Sequence, residues 1–228
     1  MSAIISWSGG KDSCLALWRA QQQNIQVTSL LTALDETGLK ARSHGVSKAL
    51  ILSQAEALGL NSYFISASWS DYEEQFIASL KTVAALGVSQ AIFGDIDLVA
   101  HKEWEEMVCA KAGLRPFLPL WQEKRLDIVR EFLKAGFKAK VVCVDGRFLD
   151  DSFVGCEFND EFIHRLPKNV DACGEQGEFH TFVYDGPNFR TPVALRSLGK
   201  KTFVSPPEYG ERIYYFDLLG TADTVLQT

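Results

Sequence analysis

The sequence is poor in the features that mark secreted and membrane proteins. Its five cysteines are widely spaced and form no C-x-x-C pair, whereas a disulfide framework or a zinc ribbon needs closer, paired spacing. No run of about 18 apolar residues is available to cross a bilayer, and the first residues have neither the basic region nor the apolar stretch of a signal peptide. These absences predict reduced thiols in a cytoplasmic protein that has no membrane partner.

Basic residues are also in the minority. The 228 residues include 23 Lys and Arg against 29 Asp and Glu, which gives a formal net charge of −6. Nucleic-acid affinity depends largely on cationic neutralisation of phosphates, and Lys200-Lys201 is the nearest that this chain comes to a basic stripe. A nucleic-acid partner is therefore disfavoured. Hydrophobic residues make up 46% of the chain and charged residues 23%, which excludes a disordered, collagenous or coiled-coil protein.

Short apolar runs alternate with amphipathic helical patterns through the first part of the chain. Strands are predicted at residues 4–7, 27–34, 63–65, 91–93 and 139–144. Strands that alternate with helices in this way are typical of a parallel sheet built from right-handed crossovers. We therefore predict a doubly wound, Rossmann-like α/β domain over residues 1–144.

The rhythm changes after the last of these strands. Glycine and proline become frequent, helical patterns thin out, and aromatic-rich strands are predicted at 179–184 and 212–218. Turns are predicted at Asp185-Gly186-Pro187 and Ser205-Pro206-Pro207. Residues 145–228 are therefore predicted to form a smaller, mixed or β-rich domain that packs against the open end of the parallel sheet.

A glycine-rich loop between the first strand and the first helix is the strongest chemical signal. It reads Ser8-Gly9-Gly10-Lys11-Asp12-Ser13. The glycines allow a tight turn close to a ligand, and the amides at a helix N-terminus favour an anion. The serines add hydroxyl donors and Lys11 adds a positive charge, whereas Asp12 suits a phosphate site only if a divalent cation accompanies the anion. The loop matches neither the Walker pattern G-x-x-x-x-G-K-[ST] nor the dinucleotide pattern G-x-G-x-x-G.

A second loop is predicted to face the first. In a doubly wound sheet, ligands bind beyond the carboxyl ends of the strands, at the point where the strand order reverses. With a strand order of 3-2-1-4-5, the loop after strand four, which contains Gly94 and Asp95, lies opposite the glycine-rich loop. Gly94 would permit close approach. Asp95 is a candidate ligand for Mg²⁺ or for a ribose hydroxyl, and Asp12 is a second candidate ligand for Mg²⁺.

Several segments together carry a family resemblance. Besides the glycine-rich loop they are Arg42-Ser43-His44-Gly45, Phe93-Gly94-Asp95-Ile96, His101-Lys102-Glu103-Trp104 and Cys173-Gly174-Glu175-Gln176-Gly177-Glu178-Phe179-His180-Thr181. The glycine-rich loop matches the PP-loop S-G-G-x-D-S of enzymes that cleave ATP between its α- and β-phosphates. The whole set resembles the diphthine–ammonia ligase family, within the adenine nucleotide alpha hydrolase-like superfamily. The resemblance extends from Ser6 to about Phe189.

This resemblance implies an ATP-dependent, AMP-forming ligase that adenylates a carboxylate and amidates it with ammonia. Characterised members of the family do so on the diphthine residue of translation elongation factor 2. The implied cofactors are ATP and Mg²⁺, and the implied partners are ammonia and a carboxylate acceptor, either a small metabolite or a protein side chain. The catalytic candidates are Lys11, Asp12, His44, Glu178 and His180, and the nucleotide-binding candidates are Ser8, Gly9, Gly10, Lys11, Asp12, Ser13, Gly94 and Asp95.

Two other functions remain open at this point. A PP-loop tRNA-modifying enzyme would share the loop, although the missing C-x-x-C pair and the acidic net charge count against it. A non-catalytic sensor that binds ATP or AMP would share the architecture, although Lys11, Asp12 and the polar segment 175–181 argue for chemistry. A homodimer is a further open alternative.

The aromatic and histidine residues receive simpler assignments. The tryptophans are predicted to be core or interface aromatics and not a base-stacking platform: Trp7, Trp18, Trp69, Trp104 and Trp121. His44 and His101 are predicted to lie on loops after strands two and four.

Adenine is predicted to bind near the end of strand two, at residues 31–35. Lys11, His44 and His180 are predicted to form a local positive patch that selects an anionic acceptor.

Overall fold

The computed structural model describes residues 2–42, 44–206 and 210–221. Within those residues the chain forms nine strands and six helices, which divide between two sheets. The elements run in the order β1 (Ser2–Ser6), α1 (Lys11–Gln22), β2 (Gln26–Leu34), α2 (Lys48–Leu58), β3 (Asn61–Ser66), α3 (Tyr72–Ala85), β4 (Gln90–Ile92), α4 (Val99–Ala112), β5 (Arg115–Phe117), α5 (Arg125–Lys134), β6 (Lys138–Asp145), α6 (Asp160–Arg165), β7 (Phe179–Asp185), β8 (Leu195–Val204) and β9 (Ile213–Thr221).

The first sheet is parallel and has the strand order β3-β2-β1-β4-β5. β1 lies at its centre, and Ala3, Ile4 and Ile5 are buried there. The order confirms the predicted doubly wound topology, because the direction of progression reverses between β1 and β4. The carboxyl ends of these two strands therefore meet at the topological switch point, where the two predicted loops begin.

The fifth strand of this sheet differs from the predicted one. β5 has only three residues and includes Pro116, which lacks the N–H that a strand residue normally donates. Such a segment is tolerated at the edge of a sheet but gives little strand signal in the sequence. The predicted strand at 139–144 does exist, as β6, but it pairs with β7 and β9 in the second sheet. The change from one sheet to the other therefore comes before Lys138 and not after residue 144.

The second sheet is antiparallel, with the order β7-β6-β9-β8. The strands predicted at 179–184 and 212–218 are confirmed as β7 and β9. β8 has no counterpart in the sequence prediction, because most of its residues are exposed and it has no alternating apolar face. α6 also has none, since its six residues are too few to establish a helical period. Of the predicted turn at 205–207, Pro207 lies outside the described residues.

One hydrophobic cluster joins the two sheets through α1. Ile5 contributes to it from β1, Cys14 and Leu17 from α1, and Phe182 from β7. The opposite face of the first sheet packs a separate cluster, to which Ile4 contributes, because successive strand residues point to opposite faces. Since α1 shares its core with β7, the loop at the start of α1 lies against the second sheet. Every helix in the described part of the chain is too short or too polar to cross a bilayer.

Candidate active site

The glycine-rich loop connects β1 to α1 and adopts a shape that depends on two close approaches. Gly9 has a φ of +81°, in the left-handed region, and a Cβ there would lie 2.7 Å from Oε1 of Gln54. A Cβ on Gly94 would lie 3.0 Å from backbone atoms of Asp12 and Ser13. This contact confirms the prediction that the loops after β1 and β4 face each other.

The two serines of the loop are held by hydrogen bonds within it. Oγ of Ser8 accepts from the N–H of Gly10 at 3.2 Å and lies 3.2 Å from Oγ of Ser13. The Ser13 hydroxyl donates to the Gly10 carbonyl at 3.0 Å. Both serine side chains line the same cavity. The loop therefore presents two positioned hydroxyl groups at the wall of this cavity.

Strand β7 of the second sheet is hydrogen-bonded directly to the loop. The N–H of Lys11 donates to Oγ1 of Thr181 at 3.0 Å, and the N–H of Val183 donates to the Gly9 carbonyl at 2.9 Å. The expectation that the loop amides are available for an anion is therefore corrected at Lys11, whose N–H already has a partner. The loop therefore offers fewer free backbone donors than the glycine-rich sequence indicates.

Gln54 is the functional residue that sequence reasoning missed most completely. It lies on α2 with a fully buried side chain. Its Nε2 donates to the carbonyls of Gly9 at 3.0 Å and Val183 at 2.6 Å, and its Oε1 accepts from Nε1 of Trp7 at 3.0 Å. A single glutamine within a helix carries no motif, so only the fold reveals that it ties the loop to β7.

The buried Lys11 forms an ion pair with the half-buried Asp12 at the start of α1. Nζ of Lys11 lies 2.7 Å from Oδ2 and 2.9 Å from Oδ1 of Asp12, and Lys11 is 6% exposed. Burial disfavours the Lys11 ammonium, but the Asp12 carboxylate outweighs this effect and raises the pKa of Lys11 above its usual value. Burial also raises the pKa of Asp12, against the influence of Lys11. The lysine thus stays charged, and Asp12 balances its charge.

His44 and His180 come together over the loop, with ring centroids 4.7 Å apart. Nδ1 of His44 lies 2.9 Å from the Thr181 carbonyl oxygen. Desolvation, followed by the neighbouring His180, lowers the pKa of His44 to about 3, and desolvation, followed by the charge of Lys11, lowers the pKa of His180 to about 4. Both imidazoles are therefore neutral near pH 7. The predicted positive patch is wrong in this respect, since Lys11 alone of the three residues is charged. Ser43, between Arg42 and His44, lies outside the described residues.

Glu178, predicted to be catalytic, is held by hydrogen bonds from the backbone of its own loop. Its side chain is buried, and its two carboxylate oxygens accept from the N–H groups of Asp171 at 3.2 Å and Gln176 at 2.9 Å. Glu175, three residues earlier, lines the cavity instead. Desolvation, followed by the charge of Asp12, raises the pKa of Glu175 to about 7. The G-E-x-G-E segment therefore contributes its first glutamate to the cavity and uses its second to hold the loop.

The cavity between the two sheets has a volume of about 570 Å³. Ala33, near the end of β2, lines it, as do the aromatic side chains of Trp69, Tyr72 and Trp104. Trp69, predicted to be a core or interface aromatic, is 70% exposed and so does not belong to the core. The guanidinium carbon of Arg42 lies 4.5 Å from the centroid of the Trp69 ring. The site thus has an aromatic wall opposite the glycine-rich loop.

Asp95 lies at the centre of a network of acidic and basic groups. Oδ1 of Asp95 is 2.7 Å from Nδ1 of His101, which lies in the first turn of α4 and not on the predicted loop. Asp95 is also hydrogen-bonded to Glu105, whose side chain is buried on the same helix. Burial favours the neutral form of Asp95, but the hydrogen bonds from His101 and Glu105 outweigh it and lower the pKa of Asp95. Burial and the hydrogen bond to Asp95 raise the pKa of Glu105 to about 11, so Glu105 is protonated at neutral pH.

These features define an α/β protein with a ligand cavity at the switch point of its parallel sheet. The family model for the diphthamide synthase N-terminal domain matches residues 1–116, and the model for the diphthamide synthase C-terminal domain matches residues 124–206. The chain therefore belongs to the diphthamide synthase, or diphthine–ammonia ligase, family. The border between the two models precedes β6, in agreement with the membership of β6 in the second sheet.

Two relatives share one name but align with this chain over different lengths. The rat diphthine--ammonia ligase is 28% identical over 225 residues, which cover 86% of this chain and 82% of that protein. The human protein of that name is 32% identical over 97 residues, or 40% of this chain, and this match spans only 36% of the human protein. The crystal structure of a predicted tRNA methyltransferase subunit from Methanocaldococcus jannaschii aligns with this structure with a TM-score of 0.40 and 18% sequence identity. The alignment covers 62% of this chain and 80% of that chain.

Proposed function

We propose that this protein is an ATP-dependent, AMP-forming ligase that adenylates a carboxylate and amidates it with ammonia. The observation that carries the proposal is the position of the buried Lys11, on a PP-loop that faces Gly94 and is covered by the Glu175–Thr181 segment. Membership in the diphthine–ammonia ligase family supports the same reaction. The tRNA-modifying and sensor alternatives have no comparable support, because the matched family models carry a synthase name.

The nucleotide is proposed to bind along the glycine-rich loop. The Ser8 hydroxyl and the Lys11 ammonium are suited to the pyrophosphate portion of ATP, and the Ser13 hydroxyl would join them by turning away from the Gly10 carbonyl. The adenine would lie near Ala33, at the end of β2, as the sequence predicts. Arg42 and Trp69 line the cavity beside this position, so the indole offers a face on which a base can stack.

Mg²⁺ is proposed to enter with the phosphates of ATP. In the described part of the chain, no group of three or more His, Cys, Asp and Glu residues is arranged to hold a metal ion. Mg²⁺ in nucleotide sites commonly takes one or two carboxylates and completes its shell with phosphate oxygens and water. Asp12, whose two oxygens both contact Lys11, would take this role as a single protein contact when the phosphates draw the lysine away, and Asp95, which is paired with His101, is the second candidate. The ion would supply charge neutralisation for the departing pyrophosphate.

The two chemical steps place separate demands on the site. In the first, a carboxylate oxygen attacks the α-phosphorus, the bond to the β-phosphate oxygen breaks, and an acyl-adenylate and pyrophosphate form. Lys11 stabilises the negative charge that this step develops on the phosphates. In the second, ammonia attacks the acyl carbon and AMP leaves. Glu175 has a pKa near neutrality, which suits it to accept the surplus proton from nitrogen.

The second sheet is proposed to form the acceptor side of the enzyme. His180 and Thr181 belong to β7, the strand of this sheet that is hydrogen-bonded to the PP-loop. The neutral imidazole of His180 can donate to an acceptor carboxylate without adding a charge, whereas neutral His44 uses its one N–H on the Thr181 carbonyl. A carboxylate on a small metabolite or on a protein side chain, including the diphthine of elongation factor 2, would enter between the two sheets. The five unpaired cysteines are compatible with the proposed cytoplasmic location.

The test is a screen in which the purified protein receives ATP, Mg²⁺, ammonium and one acceptor at a time. The acceptors are diphthine-bearing elongation factor 2 and a panel of carboxylate metabolites, and the products are separated by chromatography. We expect AMP and pyrophosphate in equal amounts with one amide formed. ADP as the main product, or bound ATP without turnover on any acceptor, would overturn the proposal; the second result is the one expected of a sensor.

A further inference from the structure

Arg125 joins two aspartates that lie far apart in the chain. It is the first residue of α5, and its guanidinium donates two parallel hydrogen bonds to Asp97, from Nε to Oδ2 and from Nη2 to Oδ1, each 2.8 Å long. Its third nitrogen, Nη1, donates to Oδ2 of Asp171 at 2.7 Å. A planar, charge-assisted pair of this kind fixes direction as well as distance. Arg125 therefore sets the position of one aspartate relative to the other.

The two aspartates belong to loops of different domains. Asp97 lies between β4 and α4, within the part that the N-terminal family model matches, and Asp171 lies on the loop at residues 171–178, within the part that the C-terminal model matches. The side chains of Arg125 and Asp171 are only 25% and 17% exposed, so salt and water screen their attraction less than at an open surface. The ion pair is therefore a second connection between the domains, besides the hydrogen bonds from the PP-loop to β7.

Asp171 extends this connection to the cavity. Its Oδ2, which accepts from Arg125, also accepts from the backbone N–H of Glu175 at 3.2 Å, and its Oδ1 accepts from the N–H of Cys173 at 3.1 Å. The Cys173 thiol in turn donates to the backbone carbonyl of Arg125 at 3.5 Å. The Asp171 carboxylate thus closes a turn that leads to Glu175, which lines the cavity. One carboxylate separates the guanidinium of Arg125 from the backbone of Glu175.

We infer that Arg125 is a positioning residue, which holds Glu175 at the cavity by fixing Asp171 against Asp97. The inference rests on the proposed function, in which Glu175 accepts the surplus proton from nitrogen. A proton acceptor works only within hydrogen-bond reach of the proton, so a small displacement of Glu175 would slow that transfer. Among the described residues that line the cavity, neither Arg125 nor Asp97 occurs. Their influence on the reaction therefore has to pass through Asp171 and its loop.

The direct test is hydrogen exchange, which needs neither nucleotide nor acceptor. In Arg125→Gln the amides of Cys173 and Glu175 should exchange roughly tenfold faster than in the wild type, as the loss of a charge-assisted hydrogen bond implies. The amide of Lys11, which is bonded to Thr181 at the other connection between the domains, should keep its wild-type rate. Unchanged exchange at Cys173 and Glu175, or equally faster exchange at all three amides, would overturn the inference.

The matched control is Arg130→Gln on the same helix. Arg130 is 73% exposed and pairs with Asp127 at 3.1 Å, so this variant also loses an arginine and an ion pair, but at the surface. It should leave both the exchange rates and the turnover unchanged. If Arg125→Gln does not fold, Asp97→Ala decides, because it removes the anchor of Arg125 and leaves the bond from Arg125 to Asp171.

A kinetic test distinguishes a positioning role from a purely structural one. With diphthine-bearing elongation factor 2 as the acceptor, exchange of labelled pyrophosphate into ATP without ammonium reports adenylation, and amide formation at saturating ammonium reports the second step. We expect Arg125→Gln to keep the exchange rate and the KM for ATP, and to lower kcat for amide formation roughly tenfold or more. Equal losses in both steps, or an unchanged kcat for amide formation, would refute the positioning role. Absent exchange in the wild type would contradict the adenylation proposed for this acceptor and leave the hydrogen-exchange test valid.

Double variants show whether Arg125 acts through Glu175. Glu175→Gln should lower kcat for amide formation by itself, and the addition of Arg125→Gln should lower it no further, because the side chain being positioned is then no longer a base. Asp97→Ala should reproduce the loss seen in Arg125→Gln and should add little to it when the two are combined. Losses that multiply in either double variant would mean that Arg125 or Asp97 acts by a separate route, and would overturn the inference.

Discussion

The backbone N–H of Lys11 donates a hydrogen bond of 3.0 Å to Oγ1 of Thr181, a residue 170 positions later in the chain. The bond joins the PP-loop at the start of α1 to β7 of the second sheet. Gln54 and Val183 reinforce the connection through the Gly9 carbonyl. The loop geometry therefore depends on the second sheet, and changes in β7 should alter nucleotide binding as well as stability.

Thr181→Val tests this coupling. The substitution keeps the side-chain volume but leaves the buried N–H of Lys11 without a partner, so the free energy of unfolding should fall by about 1–3 kcal/mol. ATP affinity should fall as well, because the loop loses a positioning contact. Urea denaturation and calorimetry measure the two effects. Thr181→Ser should restore both, and Thr202→Val, at an exposed position of β8, should change neither. Wild-type ATP affinity in Thr181→Val would show that β7 does not position the loop.

Lys11→Ala tests the phosphate assignment. Because the lysine is buried and its charge is directed to the loop, its loss should weaken ATP binding by about 1.5–3 kcal/mol. The substitution also leaves Asp12 buried without its cation. The double variant Lys11→Ala with Asp12→Asn therefore serves as a second test in which no charge is stranded. Calorimetry of both variants, with exposed Lys81→Ala as the control, decides the matter; unchanged affinity in both would remove Lys11 from the nucleotide site.

The histidine pair predicts a specific pH dependence of stability. His180 and His44 have pKa values of about 4 and about 3 in the folded chain, below the usual 6.5. Between these values and 6.5 the unfolded chain binds more protons, so stability is fully present above pH 6.5 and is lost as the pH falls. His180→Asn should reduce this loss, by at most about 1.4 kcal/mol per pH unit. Chemical denaturation from pH 7 down to pH 4 measures it.

The control for that experiment is His164→Asn on the exposed face of α6, which should keep the wild-type slope. A His180→Asn variant with the same slope as the wild type would mean that folding does not lower the pKa of His180. In that case His180 would add positive charge to the site below its ordinary pKa of 6.5.

Glu178→Ala tests the structural role assigned to that residue. Removal of the carboxylate leaves the N–H groups of Asp171 and Gln176 without their acceptor, so the free energy of unfolding should fall by about 1–3 kcal/mol. Glu56→Ala, at an exposed position of α2, is the control. The decisive comparison is with Glu175→Ala, which should reduce turnover with little loss of stability. Unchanged stability in Glu178→Ala, together with lost turnover, would return Glu178 to catalysis.

The sequence by itself determined the first four strands of the parallel sheet and the meeting of two loops at the switch point, whereas the strand order was that of the doubly wound fold class. These properties follow from local patterns: the period of apolar residues along strands and helices, and the glycines that a tight turn requires. The PP-loop could be read in the same way, because its residue types are consecutive. The resemblance to diphthine–ammonia ligases also rests on short, continuous segments, and the family models confirm it.

Only the tertiary structure decided which sheet receives β6, because a strand's own residues show that it is buried but not which strand it pairs with. Non-local contacts likewise gave Gln54 its role, since it bonds to Gly9, Trp7 and Val183. The protonation states of buried groups also depended on non-local contacts. Burial and neighbouring groups made His44 and His180 neutral and Glu105 protonated, and these surroundings come from segments that are far apart in the chain.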